Sequence, residues 1–479
     1  MTSINQLRVR FAPAPTGMMH LGNIRTVLMN FLMARQKQGT FVLRIEDTDA
    51  ERNYDPQAKK IMEDLAWLHL HHDEGPGKGG PYGPYFQSER DIIYQEELRK
   101  LIATGSAYRC FCSPEDLEKK RERQIALKLP PRYDRTCLAL TEAVAAERAQ
   151  TNSFIWRMKM NHEQTLSLFD LAHGTVTFEL KNFSDFALTR DDGSVTFLFA
   201  NFVDDALMKI THVIRGEDHL SNTACQLALY HAMNYAQPLF WHLPILCNSE
   251  GKKLSKRDFG FSLRDLKDAG FLPEAIVNYL GIIGGSFKTE IMTLEQLMTA
   301  LDFDQIHTTG QIRYDVEKLR WTNHKWICLL PLEKITALCR PYLESVYPMV
   351  QLLDDKTLEK AIEIIRTELF TLQDCIQLLA FYFDKPIYEV DRVRALASIE
   401  QHASMKLALQ SLLPITDKDV FAVHLKETLK AHAIVFKSGF GFVRYALMQA
   451  EQGPTIPALI DLLGCAEATQ RLQKCLEYL

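Results

Sequence analysis

Long apolar runs are missing from this chain of 479 residues. No stretch of about 18 uninterrupted apolar residues occurs, and no apolar segment follows basic residues near the N-terminus. A membrane span and a secretory leader are therefore not expected, and the cytoplasm is the predicted location. Cysteine is sparse too: ten residues at irregular spacing exclude a disulfide framework, and only Cys110, Cys112 and Cys137 stand in an organised cluster. Positive charge is not in excess. With a formal net charge of −5, a nucleic-acid partner would have to be held by local basic patches. Repeats and low-complexity tracts are absent. Glycine thins out late, with only four of 23 beyond residue 332, which suits a helical tail. Such a length exceeds a single core and predicts roughly two to four domains.

What is present begins with Arg10-Phe11-Ala12-Pro13-Ala14-Pro15-Thr16-Gly17-Met18-Met19-His20-Leu21-Gly22-Asn23. Before it, Leu7, Val9 and Phe11 alternate with polar residues as in a strand. After it, Ile24, Val27, Leu28 and Phe31 share one helical face. Two prolines stiffen the turn between them, Gly17 and Gly22 admit close approach of a ligand, and a helix start offers free N–H groups to phosphate. His20, as a neutral imidazole beside that helix start, can donate one hydrogen bond to a phosphate oxygen; a histidine taken alone is more often an ordinary surface or half-buried one, by roughly two to one.

Phe41 to Ile45 reads as a second strand and completes a βαβ unit. It ends in Glu46-Asp47-Thr48-Asp49, at the sheet edge where open α/β sheets bind ligands. Asp55-Pro56 is expected to cap a helix carrying Ile61, Met62 and Leu65. Residues 75 to 85 are a Gly/Pro-dense loop, and a helix follows Arg90. From about 92 to 190 helices mix with short strands, Ser153 to Met158 and Val176 to Leu180, as in a domain inserted between two halves of a sheet. The sheet is predicted to resume at Val195-Thr196-Phe197-Leu198-Phe199, then at Ile210 to Ile214 and at Trp241 to Leu246. Beyond 332, Ile362, Ile365, Leu369, Leu372, Ile376 and Leu379 predict an amphipathic helical seam.

The loop Gly251-Lys252-Lys253-Leu254-Ser255-Lys256-Arg257 packs four cations into seven residues. It reads either as a solvated basic loop or as a mobile arm over the first turn. Cys110, Cys112 and Cys137 with Tyr133 are either a closed tetrahedral metal site or reduced thiols near a turn. Lys119, Lys120, Arg121 and Arg123 either track phosphates or form a solvated helix face.

The first turn resembles the His-x-Gly-His/Asn motif of class I aminoacyl-tRNA synthetases, and the run Arg-Phe-Ala-Pro-x-Pro-Thr-Gly resembles their glutamyl/glutaminyl subgroup. Lys253-Leu254-Ser255-Lys256-Arg257 is similar to the family's Lys-Met-Ser-Lys-Ser loop. Over nearly its full length the chain resembles the bacterial glutamyl-tRNA synthetases. That resemblance implies an α/β Rossmann-like catalytic domain in two halves (1–91 and 192–257). An acceptor-binding insertion (92–191), a stem-contact connecting domain (258–332) and an all-α anticodon-binding domain (333–479) complete the implied organisation. It implies ATP with Mg²⁺, L-glutamate, tRNA(Glu) or also tRNA(Gln), no membrane, and a monomer.

By the same resemblance His20, Lys253 and Lys256 are catalytic, with Pro13, Thr16, Gly17, Gly22, Asn23 and Ser255 also at ATP. Arg10, Ala12, Glu46, Phe197, Asn201 and Arg215 surround glutamate: guanidinium for its side-chain carboxylate, Glu46 for its ammonium. The alternative for Arg10 and Glu46 is that they merely form an ion pair with each other. Asp204 and Asp205 are read as tRNA acceptor contacts, as aids to Arg215, or as helix caps. Cys110, Cys112, Tyr133 and Cys137 match a zinc motif, although Ala139 stands where some members have histidine. Ala14 and Phe197 replace a serine and a tyrosine of most members, and so remove two hydroxyls near the substrate. Alternatives are a glutaminyl enzyme, the queuosine-modifying relative, a small nucleotidylyltransferase, and a non-catalytic tRNA-binding paralogue; the helical tail weighs against the first two.

Overall fold

The computed structural model describes residues 6–48, 53–255, 257–303 and 310–479. It separates into two compact units, Met1–Leu266 with Ile276–Val316, and Lys267–Ala275 with Glu317–Leu479. Among the described residues no helix is long and apolar enough to cross a membrane.

In the first unit, β1 (Arg8–Phe11) runs parallel to β2 (Thr40–Leu43), joined by α1 (Leu21–Gln36). This is the βαβ unit expected from the alternation and the helical spacing. Ile24, Val27 and Leu28 of α1 are fully buried against the sheet. Asp55 does start α2 (Lys59–Trp67), but from four residues upstream: its carboxylate accepts the amides of Lys59, Lys60 and Ile61. α3 (Asp91–Ala103) follows the loop as predicted. The stretch after it holds the antiparallel pair β3 (Ala107–Cys110) and β4 (Ile155–Met158), the helices α4 (Pro114–Ala126) and α5 (Glu142–Arg148), and the hairpin of β5 (Thr165–Asp170) and β6 (Gly174–Glu179).

The predicted strand at 195–199 is instead the start of a helix, α6 (Phe197–Leu207). A short apolar run does not by itself distinguish strand from buried helix. Phe199, Ala200, Phe202, Val203 and Ala206 recur at helical spacing and are all buried. The sheet resumes one element later: β7 (His212–Gly216) crosses over through α7 (Leu220–Ala232) to the parallel β8 (Leu239–Leu243). β1 lies beside β7, since the Thr211 amide donates to the Arg8 carbonyl and the Arg8 amide to the Thr211 hydroxyl. β5 joins the far side of β8 at Asp170 opposite Phe240. The C-terminal ends of β1, β2 and β7 thus meet at one edge, and the ligand-binding crevice of an open sheet lies there. β9 (Leu246–Cys247) pairs with β10 (Ile312–Arg313) and launches the basic loop.

The second unit is helical throughout its described elements. The apolar seam is not one helix. It runs through Asp355–Ile365, breaks at Leu369, and restarts at Leu372–Asp374 and Cys375–Leu378. A capping box between Thr371 and Asp374 begins the second part. Leu369 is fully buried across the break, so the periodicity reported burial rather than continuity.

Candidate active site

The turn after β1 delivers His20 to the N-cap of α1. Its Nδ1 accepts the Asn23 amide at 3.3 Å, while the Asn23 Oδ1 accepts the His20 amide at 3.2 Å, a reciprocal cap. With Nδ1 used as an acceptor, the ring proton sits on Nε2. Burial, and after it the charge of Lys253, hold His20 below the usual histidine range. The side chain is therefore a neutral donor at a helix start. It stacks on Phe261 with centroids 5.1 Å apart, and a Cβ at Gly22 would meet the ring at 3.1 Å, so glycine reserves the ring's space.

His20 borders a cavity of about 370 Å³ at the sheet edge. Of the residues predicted at ATP, Pro13, Gly22, Asn23 and Lys253 also line it. Thr16 and Gly17 lie exposed on the turn outside the lining, and the space beside Gly17 is open. The Lys253 ammonium rests on Asp218 at 2.9 Å. Ser255 is held away by Asp258 through both its amide and its hydroxyl. Lys256 lies outside the described residues. The far arm of the loop is fastened next to His20, with Leu21 donating to the Phe261 carbonyl and Leu263 to that of Met19.

Of the residues predicted at glutamate, Ala12, Glu46, Phe197 and Arg215 line the cavity; Arg10 and Asn201 stand behind it. Arg10 does not pair with Glu46. It donates from Nε to Asp205 at 3.1 Å, and Glu46 takes Arg44 at 3.0 Å and the Asn201 amide at 2.6 Å. Burial raises the Glu46 carboxyl above its ordinary value despite Arg44. A hydrogen-bond chain then crosses the back wall, from Arg215 to Gln226 at 2.8 Å, from Gln226 to Asn201 at 2.7 Å, and on to Glu46. The wall so presents a guanidinium and a carboxylate together, complementary to an amino acid with an acidic side chain.

Asp204 and Asp205 are neither helix caps nor accessible to tRNA. They are buried in α6, where Asp204 accepts Arg90, Gln87 and Tyr94, and Asp205 accepts Arg10 and Arg44. Ala14 and Phe197 both border the cavity, and the Phe197 ring lies 6.1 Å from that of His219. Sequence reasoning missed Arg44, Thr223, Gln226 and His242. Arg44 had a local signal, being two residues before Glu46 just past the end of β2; the others act from separate elements and had none.

Away from the cavity, the sulfurs of Cys110, Cys112 and Cys137 lie within 4.8 Å of one another. The Tyr133 hydroxyl is 3.3 Å from the Cys110 sulfur and 3.8 Å from that of Cys112. The Arg157 guanidinium lies 4.2 Å over the Tyr133 ring, and the Lys120 ammonium is 3.7 Å from the Cys112 sulfur. Burial works against a thiolate at Cys110, yet hydrogen bonds from Tyr133 and Arg157 hold it below the ordinary thiol range. Three soft donors, one oxygen and nearby cations fit a tetrahedral structural metal. Of the predicted basic face, Lys120 turns inward to Asp134 and Thr136, while Lys119, Arg121 and Arg123 are exposed.

Compared with known proteins, residues 6–321 match the family model described as tRNA synthetases class I (E and Q), catalytic domain, and residues 334–476 match an anticodon binding domain. A glutamate--tRNA ligase of Sulfurihydrogenibium sp. is 38% identical over 98% of this chain and 99% of its own. Glutamate--tRNA ligase 1 of Syntrophomonas wolfei is 36% identical over 99% and 97%. Among solved structures, a glutamate tRNA ligase from Elizabethkingia meningosepticum in complex with its amino acid superposes with a TM-score of 0.88 at 30% identity, covering 99% of both chains.

Proposed function

The chain belongs to the class I aminoacyl-tRNA synthetases of the glutamate and glutamine group, and on that premise we propose that it attaches L-glutamate to the 3′ end of tRNA(Glu). The observation that carries this reading is the cavity wall, where Arg215 and Glu46 stand together beyond the neutral Nε2–H of His20. A glutamate fits it with its side-chain carboxylate on Arg215 and its ammonium on Glu46.

Enzymes of this class use ATP with Mg²⁺. The α-carboxylate of glutamate attacks the α-phosphorus of ATP, the bond to the bridging oxygen breaks, and pyrophosphate leaves. A terminal ribose hydroxyl then takes the glutamyl group and AMP leaves. No protein nucleophile is required, since alignment and charge stabilisation do the work. His20 donates to a phosphate oxygen. Lys253 and Lys256 act on the pyrophosphate as its charge grows, an interaction stronger in the transition state than in bound ATP. Lys253 must leave Asp218 to do so, which makes Asp218 its resting partner.

We read residues 1–91 and 192–257 as the catalytic halves, 92–191 as the acceptor-binding insertion, 258–332 as the stem-contact domain and 333–479 as the anticodon-binding domain. Cys110, Cys112, Cys137 and Tyr133 are the residues that would hold a zinc ion, which supplies a structural cross-link and no chemistry. Purified without chelator, the protein is expected to carry about one zinc per chain by atomic absorption, and Cys137→Ser to lose it; metal-free wild type would reject the site.

The test of function is charging of purified tRNA(Glu) and tRNA(Gln), separately, with labelled glutamate and ATP. Charging of tRNA(Glu) is expected. Acceptance of tRNA(Gln) as well would make the enzyme non-discriminating, and failure of both would overturn the reading.

A further inference from the structure

Arg215 is buried at the cavity wall, and among the described residues no carboxylate lies within 4.0 Å of its guanidinium. The carboxylates whose charge it feels are committed elsewhere, Asp205 to Arg10 and Arg44, Glu46 to Arg44. Its partners are all neutral. Nη2 donates to the Thr223 hydroxyl at 2.6 Å and to the Gln226 carbonyl at 2.8 Å, and Nε donates to Nε2 of His242 at 3.3 Å. The Thr223 hydroxyl approaches the same Nε2 at 2.9 Å. The Nε–H of Arg215 can only donate, so that nitrogen must be bare, and the Thr223 hydroxyl then has two acceptors for its one proton, Nε2 and the His219 carbonyl at 3.2 Å.

Asp170 is what keeps it bare. The His242 Nδ1 lies 2.6 Å from the Asp170 Oδ2, which also accepts the His242 amide at 3.1 Å. Asp170 Oδ1 accepts the amides of Ala172 and His173 at 2.9 and 3.0 Å. Although burial opposes its charge, hydrogen bonds from His242 and His173 hold the Asp170 carboxyl at about 2; burial likewise keeps His242 below the usual histidine range. A carboxylate that only accepts pins the imidazole proton to Nδ1 and leaves Nε2 as an acceptor. Asp170, His242 and Arg215 come from β5, β8 and β7, so the arrangement exists only once the three strands are side by side.

We propose that Asp170, His242 and Thr223 are positioning residues that set the imidazole proton so that Arg215 is held by neutral acceptors alone, leaving its charge for the anionic side chain of the amino acid. A carboxylate in the place of His242 would hold Arg215 as firmly but cancel that charge. This rests on the reading of Arg215 as the glutamate receptor.

Asp170→Asn tests it with almost no change in shape. The amide oxygen goes to the side that meets two backbone amides, those of Ala172 and His173, so the NH₂ takes the Oδ2 position, gives up the single bond from the His242 amide and faces Nδ1 of His242. The imidazole proton then moves to Nε2 and points at the Nε–H of Arg215. Nitrogen NMR of histidine-labelled protein should show Nδ1 protonated in the wild type and Nε2 protonated in the variant. In tRNA(Glu) charging, the glutamate KM should rise about ten- to a hundredfold, with kcat and the ATP KM within about threefold of wild type. Thr223→Ser, which keeps the hydroxyl, should charge as wild type does, and Thr223→Val should show the same KM rise. A wild-type His242 protonated on Nε2, or a glutamate KM unmoved in both Asp170→Asn and Thr223→Val, overturns the proposal. Should Asp170→Asn fail to fold, the threonine pair and the wild-type spectrum still decide. Wild type that charges no tRNA with glutamate overturns the functional reading instead.

Discussion

Arg215→Gln is expected to raise the glutamate KM on the order of 10²- to 10³-fold, because truncating one partner of a buried charge pair costs about 2 to 5 kcal/mol. In the wild type, burial and then the charge of Arg10 pull the Arg215 guanidinium down to about 9, so the site carries unspent positive charge that a bound carboxylate relieves. Glutamine retains some of the hydrogen bonding to Thr223 and Gln226 but brings no charge, and the substrate carboxylate is left desolvated and unpaired. Arg215→Lys is expected to recover little of the loss. One ammonium on a flexible stem cannot hold the acceptors of Thr223, Gln226 and His242 and still present a fork to the substrate. Steady-state charging at varied glutamate reads the effect, and equilibrium dialysis should show ATP binding unchanged. A KM within about threefold of wild type would move the receptor to Arg10, whose own pair with Asp205 would then have to open.

Arg44→Met is expected to be the more damaging to the fold. Arg44 is fully buried and lies 2.7, 3.0 and 3.5 Å from carboxylate oxygens of Asp205, Glu46 and Asp204. Methionine fills much of the volume but leaves Glu46 with no cation and Asp205 with only Arg10. Breaking a buried pair in this way costs about 3 to 5 kcal/mol, which for a unit of this size lowers Tm by roughly 5 to 10 °C. The loss should depend on pH. The Glu46 carboxyl is already raised by burial, so the folded state favours its protonated form, and that contribution is present below the unfolded value and lost as pH rises through the raised one. Without Arg44 the value rises further, and the Tm gap between variant and wild type should narrow between pH 7.5 and pH 5. A gap that stays constant or widens as the pH falls would place the cost in packing and not in the stranded carboxylates.

The sequence by itself determined the strand, turn and helix that carry His20, the basic loop after β9 and the helical character of the tail. Each is set by residues a few positions apart: alternation, proline and glycine in a turn, apolar spacing of three and four. Glu46 and Arg215 were legible as strand ends of the right charge. Tertiary structure alone decided which charges pair, because the sheet brings residues together from across the chain. Arg10 meets Asp205 across 195 positions, and Asp170 meets His242 across 72. The same holds for the two misread stretches. The run beginning at Val195 passes into a helix because α6 must bury Asp204 and Asp205 against Arg44 and Arg90, and the seam after Ile365 breaks because burial, which its spacing encodes, does not require one continuous helix. Local chemistry chooses elements, whereas the electrostatics of a buried site depend on neighbours that only packing supplies.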